Sequence, residues 1–312
     1  MSVTVTTDQR HVADAGRRFY YHTFMALQLF AERHTSYDYF WNWEMDVRFT
    51  GLYHSLFPAL ASWADSQPSD GLWQRNTRFY IPSVHGSFDD FTDLSMSSTL
   101  GFPNPKPWAP LHTLTNASKD QTDLITLFPL FETTHTAWPH KDYLVHYRPS
   151  AVTPRFGTVG TNMRFSRRML GLMSHENAAG RAMMSEMWPP TLAFHHSLRT
   201  VVVHHPIFLD REWPPDVLLR TFNGGPDGRV GGSSRSIINR EHHFLGSTWF
   251  WNAQLPLKLY QRWMDADINK LQPVNRSCNW SLPDKVDSQS RGSAGALLPP
   301  MLLHPVKGDR LL

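Results

Sequence analysis

The chain has 312 residues, of which 41% are hydrophobic and 18% charged, a composition that excludes a wholly disordered protein and is long enough to bury a sizeable core. Thirty Lys and Arg against 27 Asp and Glu leave a net charge of +3; with no basic run of five residues, a nucleic-acid footprint is excluded. The single cysteine, Cys278, excludes an intramolecular disulfide scaffold and cysteine-rich zinc ribbons, and no apolar run approaches the roughly 18 residues of a membrane span.

The first predicted element is a helix opened by Asp8, with Val12, Ala15, Phe19, Ala26, Leu27 and Phe30 at helical spacing up to about Arg33. No basic-then-apolar signal segment or anchor is read ahead of it. The period then changes. Tyr37, Tyr39, Trp41 and Trp43 alternate with Asp38, Phe40, Asn42 and Glu44, which predicts a strand. A shorter helix is predicted over 52–63, closed by Ser66, Gln67 and Pro68. From about Asp70 to Arg155 the chain is rich in Pro, Asn, Thr and His, and long loops packed on a scaffold are expected, with 124–131 the best strand. Helices over 166–173 and 186–194, a buried strand at 200–203 and a last helix over 253–265 follow. After Pro283 the composition turns to Ser, Gly, Pro and Lys. The expected organisation is therefore one domain, 1–282, followed by a flexible tail, 283–312. Three Asn-x-Ser sequons, at Asn116, Asn275 and Asn279, would be used only in the secretory pathway.

Four constellations could carry chemistry. Glu44 and Asp46 follow the aromatic strand at a spacing that puts both carboxylates on one face, where they can hold a hard divalent cation; the plain alternative is a solvated acidic edge. Gly157 and Gly160 bracket a turn in which the backbone can approach a ligand closely, ahead of Ser166, a cap for the next helix; an ordinary turn is the favoured alternative. Ser185 reads as a helix cap with Glu186 in the first turn, where a carboxylate is well placed to act as a general base or simply to stabilise the helix. His204 and His205 follow a strand, and one of them could join two carboxylates on a manganese-like ion. With 17 histidines in the chain, a structural role is the commoner one. Twelve tryptophans suit a heavy core, and also stacking on sugar rings.

Taken in order, these pieces resemble the second half of a GT-A glycosyltransferase: an apolar strand, a DxD-like acidic element, a glycine-containing loop with a Ser-Arg helix start, a Ser-Glu element, a strand and a histidine. Residues 37–48, 164–170 and 185–211 are also similar to a fungal family of unknown function whose members often carry a transporter label. The resemblance implies an α/β fold with a GT-A-like mixed sheet, flanking helices and long loops. It implies a nucleotide-sugar donor, a glycan or protein acceptor, a divalent metal such as manganese, and a Golgi or other secretory location. Residue by residue, it implies Glu44 near the donor sugar and Asp46 and His205 on the metal. Gly157 and Gly160 would line the acceptor side, with Glu186 the catalytic base. Only 43 residues precede Glu44, so the nucleotide-binding part is expected to be truncated at its N-terminal side. The competing expectation is a non-catalytic GT-A remnant, or an aromatic-rich module binding a glycan or a partner.

Overall fold

The computed structural model describes residues 21–97, 121–231, 245–250, 253–264 and 298–307. The sequons, Cys278 and the helix start at Asp8 lie outside the described residues. Helix α1 (Met25–Arg33) leads into strand β1 (Tyr39–Asn42), and a short strand β2 (Arg48–Phe49) precedes helix α2 (Tyr53–Ser66). The aromatic strand earns its place by packing: the Trp41 and Trp43 rings lie 4.9 and 5.2 Å from Phe57 of α2, so these indoles belong to the core's edge.

The loops expected after Asp70 are in part helical. Helices α3 (Leu72–Asn76), α4 (Pro82–His85) and α5 (Phe88–Met96) occupy 72–96. Each is too short to show a periodic apolar stripe, yet the last carried a local signal. Ser87 accepts from the Asp90 amide while the Asp90 carboxylate accepts from the Ser87 amide, a reciprocal cap written as Ser-x-x-Asp. The strand expected over 124–131 divides into β3 (Leu124–Thr126) and β4 (Phe131–Glu132), with 127–130 turning between them.

Strands β5 (Leu144–Val145), β6 (Phe156–Gly157) and β7 (Met163–Ser166) come next, then helix α6 (Arg167–Ala178), strand β8 (Ala182–Met183), helix α7 (Trp188–His195), strand β9 (Thr200–Val202), helix α8 (Pro215–Phe222), helix α9 (Leu255–Met264) and strand β10 (Leu302–Leu303). Ser166 does cap α6, accepting from the Met169 amide at 3.0 Å. Helix α7 starts later than expected. Pro189 and Pro190 lack the amides that a helix interior needs and sit naturally in its first turn, so Glu186 lies just ahead of the helix and Ser185 does not cap it.

The central sheet has the order β1-β7-β3-β9. Strand β7 runs antiparallel to both β1 and β3, while β3 and β9 are parallel, so β1, β3 and β9 all point the same way. Residues 39–42 and 200–202 therefore belong to one sheet and end on the same side of it. The class is mixed α/β, with nine helices among the described residues. No helix among them is long and apolar enough to cross a membrane.

Three of the sheet's four strands are buried on both sides. Every residue of β3, β7 and β9 is buried, and all eight residues of α7 are buried as well. The outer edge of β9 is closed by a side chain: Asn76 donates to the Thr200 carbonyl at 2.7 Å and accepts from the Val202 amide at 2.9 Å. Left unpaired, those two buried backbone groups would cost about 1–3 kcal/mol each.

The expected tail is corrected over 298–307. Strand β10 pairs with β2, Leu302 opposite Phe49 and Leu303 opposite Arg48, and Met301, Leu303 and Val306 form a buried cluster. An apolar run Met301-Leu302-Leu303 inside a Ser- and Gly-rich stretch is what pays the ordering entropy there.

Candidate metal and carboxylate centre

Chain direction builds the site. Because β7 runs against β1, with Met163 opposite Asn42, the loop leading into β7 lies beside the exit from β1. The Asn42 amide donates to the Thr161 carbonyl at 2.7 Å, and the Glu44 backbone amide donates to Asn162 Oδ1 at 2.8 Å. In return, Glu44 Oε1 accepts from the Thr161 amide at 2.7 Å and its hydroxyl at 2.9 Å, and Oε2 accepts from Asn162 Nδ2 at 2.9 Å. Four hydrogen bonds thus fix Glu44, and its carboxylate has little freedom to turn.

Glu44, Met45 and Asp46 form a turn, closed by the Val47 amide on the Glu44 carbonyl, rather than a continuing strand. The two carboxylates still converge, both half-buried, while Met45 between them is 91% exposed. The third member comes from the far end of the chain. The Val306 amide donates to the Asp46 carbonyl at 2.7 Å and ties the 298–307 segment down. His304 Nε2 then stands 3.4 Å from Glu44 Oε2 and 3.7 Å from Asp46 Oδ2. One ligand atom from each of Glu44, Asp46 and His304 falls within 4.8 Å of the others.

His304 Nδ1 lies 3.2 Å from the Trp249 carbonyl, which can only accept, so Nδ1 carries a proton. In the neutral ring, Nε2 is then a lone pair facing two carboxylate oxygens, an arrangement that calls for a cation between them, either a proton or a metal ion. A carbonyl behind the imidazole and two carboxylates in front form a donor set that suits a divalent ion. Lys307 Nζ approaches Asp46 Oδ2 at 3.2 Å, but 63% of its side chain is exposed, so this pair is weak.

The family model described as protein of unknown function (DUF3405) matches residues 5–308. The chain belongs to that family. The match takes in both Glu44 and His304, the two ends of the centre. No curated protein and no solved structure matches the chain.

In this DUF3405 chain a third carboxylate faces the same loop. Glu186 Oε1 accepts from the Gly160 amide at 2.5 Å, and Gly160 holds the left-handed φ of 85° that lets its N–H turn that way. Glu186 is half-buried. Burial pushes its carboxyl up to about 7, the Gly160 N–H works against that, and the Glu44 charge adds to it. Near neutral pH both its protonated and its ionised forms are therefore populated.

Of the residues singled out in the sequence, Glu44, Asp46, Gly160 and Glu186 come together. Gly157 does not join them. It is buried in β6, where an added Cβ would stand 2.8 Å from Phe131 Cζ, so the glycine makes room for that ring. His205 lies at the same end of the sheet but outside the Glu44 group; its ring packs 4.4 Å from Trp249, which in turn contacts His304 at 5.2 Å. The imidazole beside the carboxylates is His304. Sequence reasoning missed it, together with Thr161 and Asn162, and the apolar run ahead of His304 was the signal that could have found it.

Proposed function

We propose that this protein is a glycosyltransferase-like transferase with a GT-A-like sheet, using a nucleotide-sugar donor and a divalent cation, with manganese the expected ion. The reading rests chiefly on one observation: Asp46, Glu44 and His304 gather beyond the carboxyl end of β1, which points the same way as the parallel pair β3 and β9, at the end of the sheet where α/β folds bind ligands. Asp46 and His304 would hold the ion, because Glu44 is already committed to Thr161 and Asn162. Bound there, a divalent cation would neutralise charge on a leaving diphosphate. Glu186 keeps Oε1 on the Gly160 amide and, among the described residues, has no hydrogen bond to Oε2, so that oxygen is the one that would take a proton from an acceptor hydroxyl. The loop 158–162 couples the two functions, since it holds Glu44 by Thr161 and Asn162 and Glu186 by Gly160.

Calorimetry with Mn²⁺ alone, then with UDP and GDP in its presence, tests the proposal. Saturable Mn²⁺ binding that strengthens diphosphate binding supports it; no Mn²⁺ binding by the intact chain removes it. The second reading, a non-catalytic relative, is favoured by one feature: among the described residues β1 is an edge strand, with β7 its only sheet partner. It predicts metal binding without sugar transfer.

A further inference from the structure

The 298–307 segment is joined to the body by short-range contacts spread along its length. Thr50 Oγ1 donates to the Pro299 carbonyl at 2.6 Å and accepts from the Met301 amide at 2.9 Å, while the Thr50 amide donates to the Met301 carbonyl at 3.1 Å. Leu302 and Leu303 then pair with β2. Beyond them the His304 amide donates to the Thr248 carbonyl at 2.9 Å, and the Val306 amide to the Asp46 carbonyl at 2.7 Å. Met301, Leu303 and Val306 pack in a small cluster apart from the main core, which Leu302 joins. Two-residue strands and a satellite cluster are contacts that open locally, ahead of global unfolding.

The ligand atoms of the centre are divided across this boundary. Glu44 and Asp46 belong to the body, and the loop before β7 fixes Glu44 through Thr161 and Asn162. His304 belongs to the segment, and its Nε2 stands 3.4 and 3.7 Å from their carboxylate oxygens. An ion held by Asp46 and His304 together must lose a ligand whenever the segment lifts. A solute that binds one of two states better stabilises that state by its differential affinity, and the coupling is reciprocal.

We propose that residues 298–307 are a strap locked by the divalent cation: the ion holds the strap down, and the docked strap completes the ion's site. The proposal rests on the metal reading above and adds to it the element that the ion controls. With the strap lifted, the centre keeps its carboxylates and lacks its imidazole, so a fully held ion exists only in the closed form.

Hydrogen exchange of the full chain at pH 7.5, read by mass spectrometry, tests the proposal, with Mn²⁺ affinity measured by calorimetry on the same preparation. Opening that expels the ion is suppressed by 1 + [Mn²⁺]/Kd, about 100-fold at roughly 100 times Kd. Peptides within 298–307 should therefore exchange at least about 10-fold more slowly in that excess of Mn²⁺ than in EDTA. Peptides of α5, which contributes no residue to the centre, should keep their rates. His304→Ala should make the strap's exchange insensitive to the same Mn²⁺ concentration. Thr50→Val removes the hydroxyl's bonds to the strap without touching a ligand; it should speed exchange in EDTA and preserve the slowing by Mn²⁺. Mn²⁺ binding with unchanged exchange in 298–307, or with equal slowing in α5, overturns the strap and leaves the metal reading standing. A His304→Ala strap that still slows with Mn²⁺ overturns it as well, and absence of Mn²⁺ binding removes both. Should Thr50→Val fail to fold, the unaltered chain and His304→Ala decide.

Discussion

Strands β1 and β9 run parallel in one sheet and deliver their next residues to the same side, yet the two ends are chemically opposite. After β1, Glu44 and Asp46 stay half-open to water, and the side chains around them are polar or basic: Thr161, Asn162, His304 and Lys307. After β9, His204 and His205 enter aromatic surroundings, with Phe88 and Phe91 on one ring and Trp249 on the other, and both are held neutral. The sheet supplies position, and the covering segments supply chemistry. At β1 the cover is the loop leading into β7 and the 298–307 segment; at β9 it is the apolar stretch 206–209 and α8. A ligand-type residue at a strand end therefore states where a site could be, and its neighbours decide which solute it could take.

The comparison breaks most visibly at Glu186. Glu186→Gln keeps the side chain's shape but removes the proton acceptor, and turnover of a nucleotide-sugar donor should fall by about 10²–10⁴-fold with Mn²⁺ affinity retained. Steady-state rates beside calorimetry on the same preparation check it; equal loss of metal binding would show that the carboxylate serves the ion instead.

Next in size is the dependence of the β1 end on its remote cover. Leu303 is fully buried in the cluster under β10, so Leu303→Ala should cost about 2–5 kcal/mol in chemical denaturation. The same change should loosen His304 and weaken Mn²⁺ binding. Direct removal of ligands is the narrower version. Asp46→Asn and His304→Ala should each weaken Mn²⁺ by more than about 10-fold, since even outer partners of a metal site cost 10–100-fold.

Much of the scaffold was legible because it is local. Alternating aromatics marked β1, a β-branched run marked β9, and Ser166 marked the start of α6. The convergence of Glu44 with Glu186 was legible only as a list of carboxylates, because the loop that joins them carries its information in backbone amides at Gly160 and Thr161. His304 went unread for another reason. It is separated from Glu44 by 260 positions, its partners are set by the pairing of β10 with β2, and two-residue strands leave no periodicity to read.

Acidity offers a finer probe of the recessed carboxylate. Glu186 sits at about 7 in the folded protein, above its ordinary value of 4.5, so the native state holds a proton that the unfolded chain releases. Its contribution to stability is complete below pH 4.5 and disappears as pH rises through 7. The amplitude is on the order of 2 kcal/mol once partial solvent access is discounted. Glu186→Gln should flatten that part of the stability profile, read as the urea midpoint at pH steps from 4.5 to 8.

The smallest effect comes from the opposite end of the sheet and serves as the control. Ser166 lies across from Tyr39, at the start of β1, because β7 runs the other way. Its hydroxyl oxygen caps α6 at the Met169 amide and its O–H donates to Asp123 Oδ1 at 2.7 Å. Ser166→Ala removes the cap, worth about 1 kcal/mol, and leaves Asp123 with its other donors, Arg168 and the Arg199 amide, so the buried carboxylate stays satisfied. The midpoint of unfolding should drop by that amount. Mn²⁺ binding and the pH profile should both remain at their original values, since neither strand end touches this serine. If Ser166→Ala lowered Mn²⁺ affinity as far as Asp46→Asn does, the two ends of the sheet would be mechanically coupled, and the division between a rigid positioning sheet and chemically specific covers would fail.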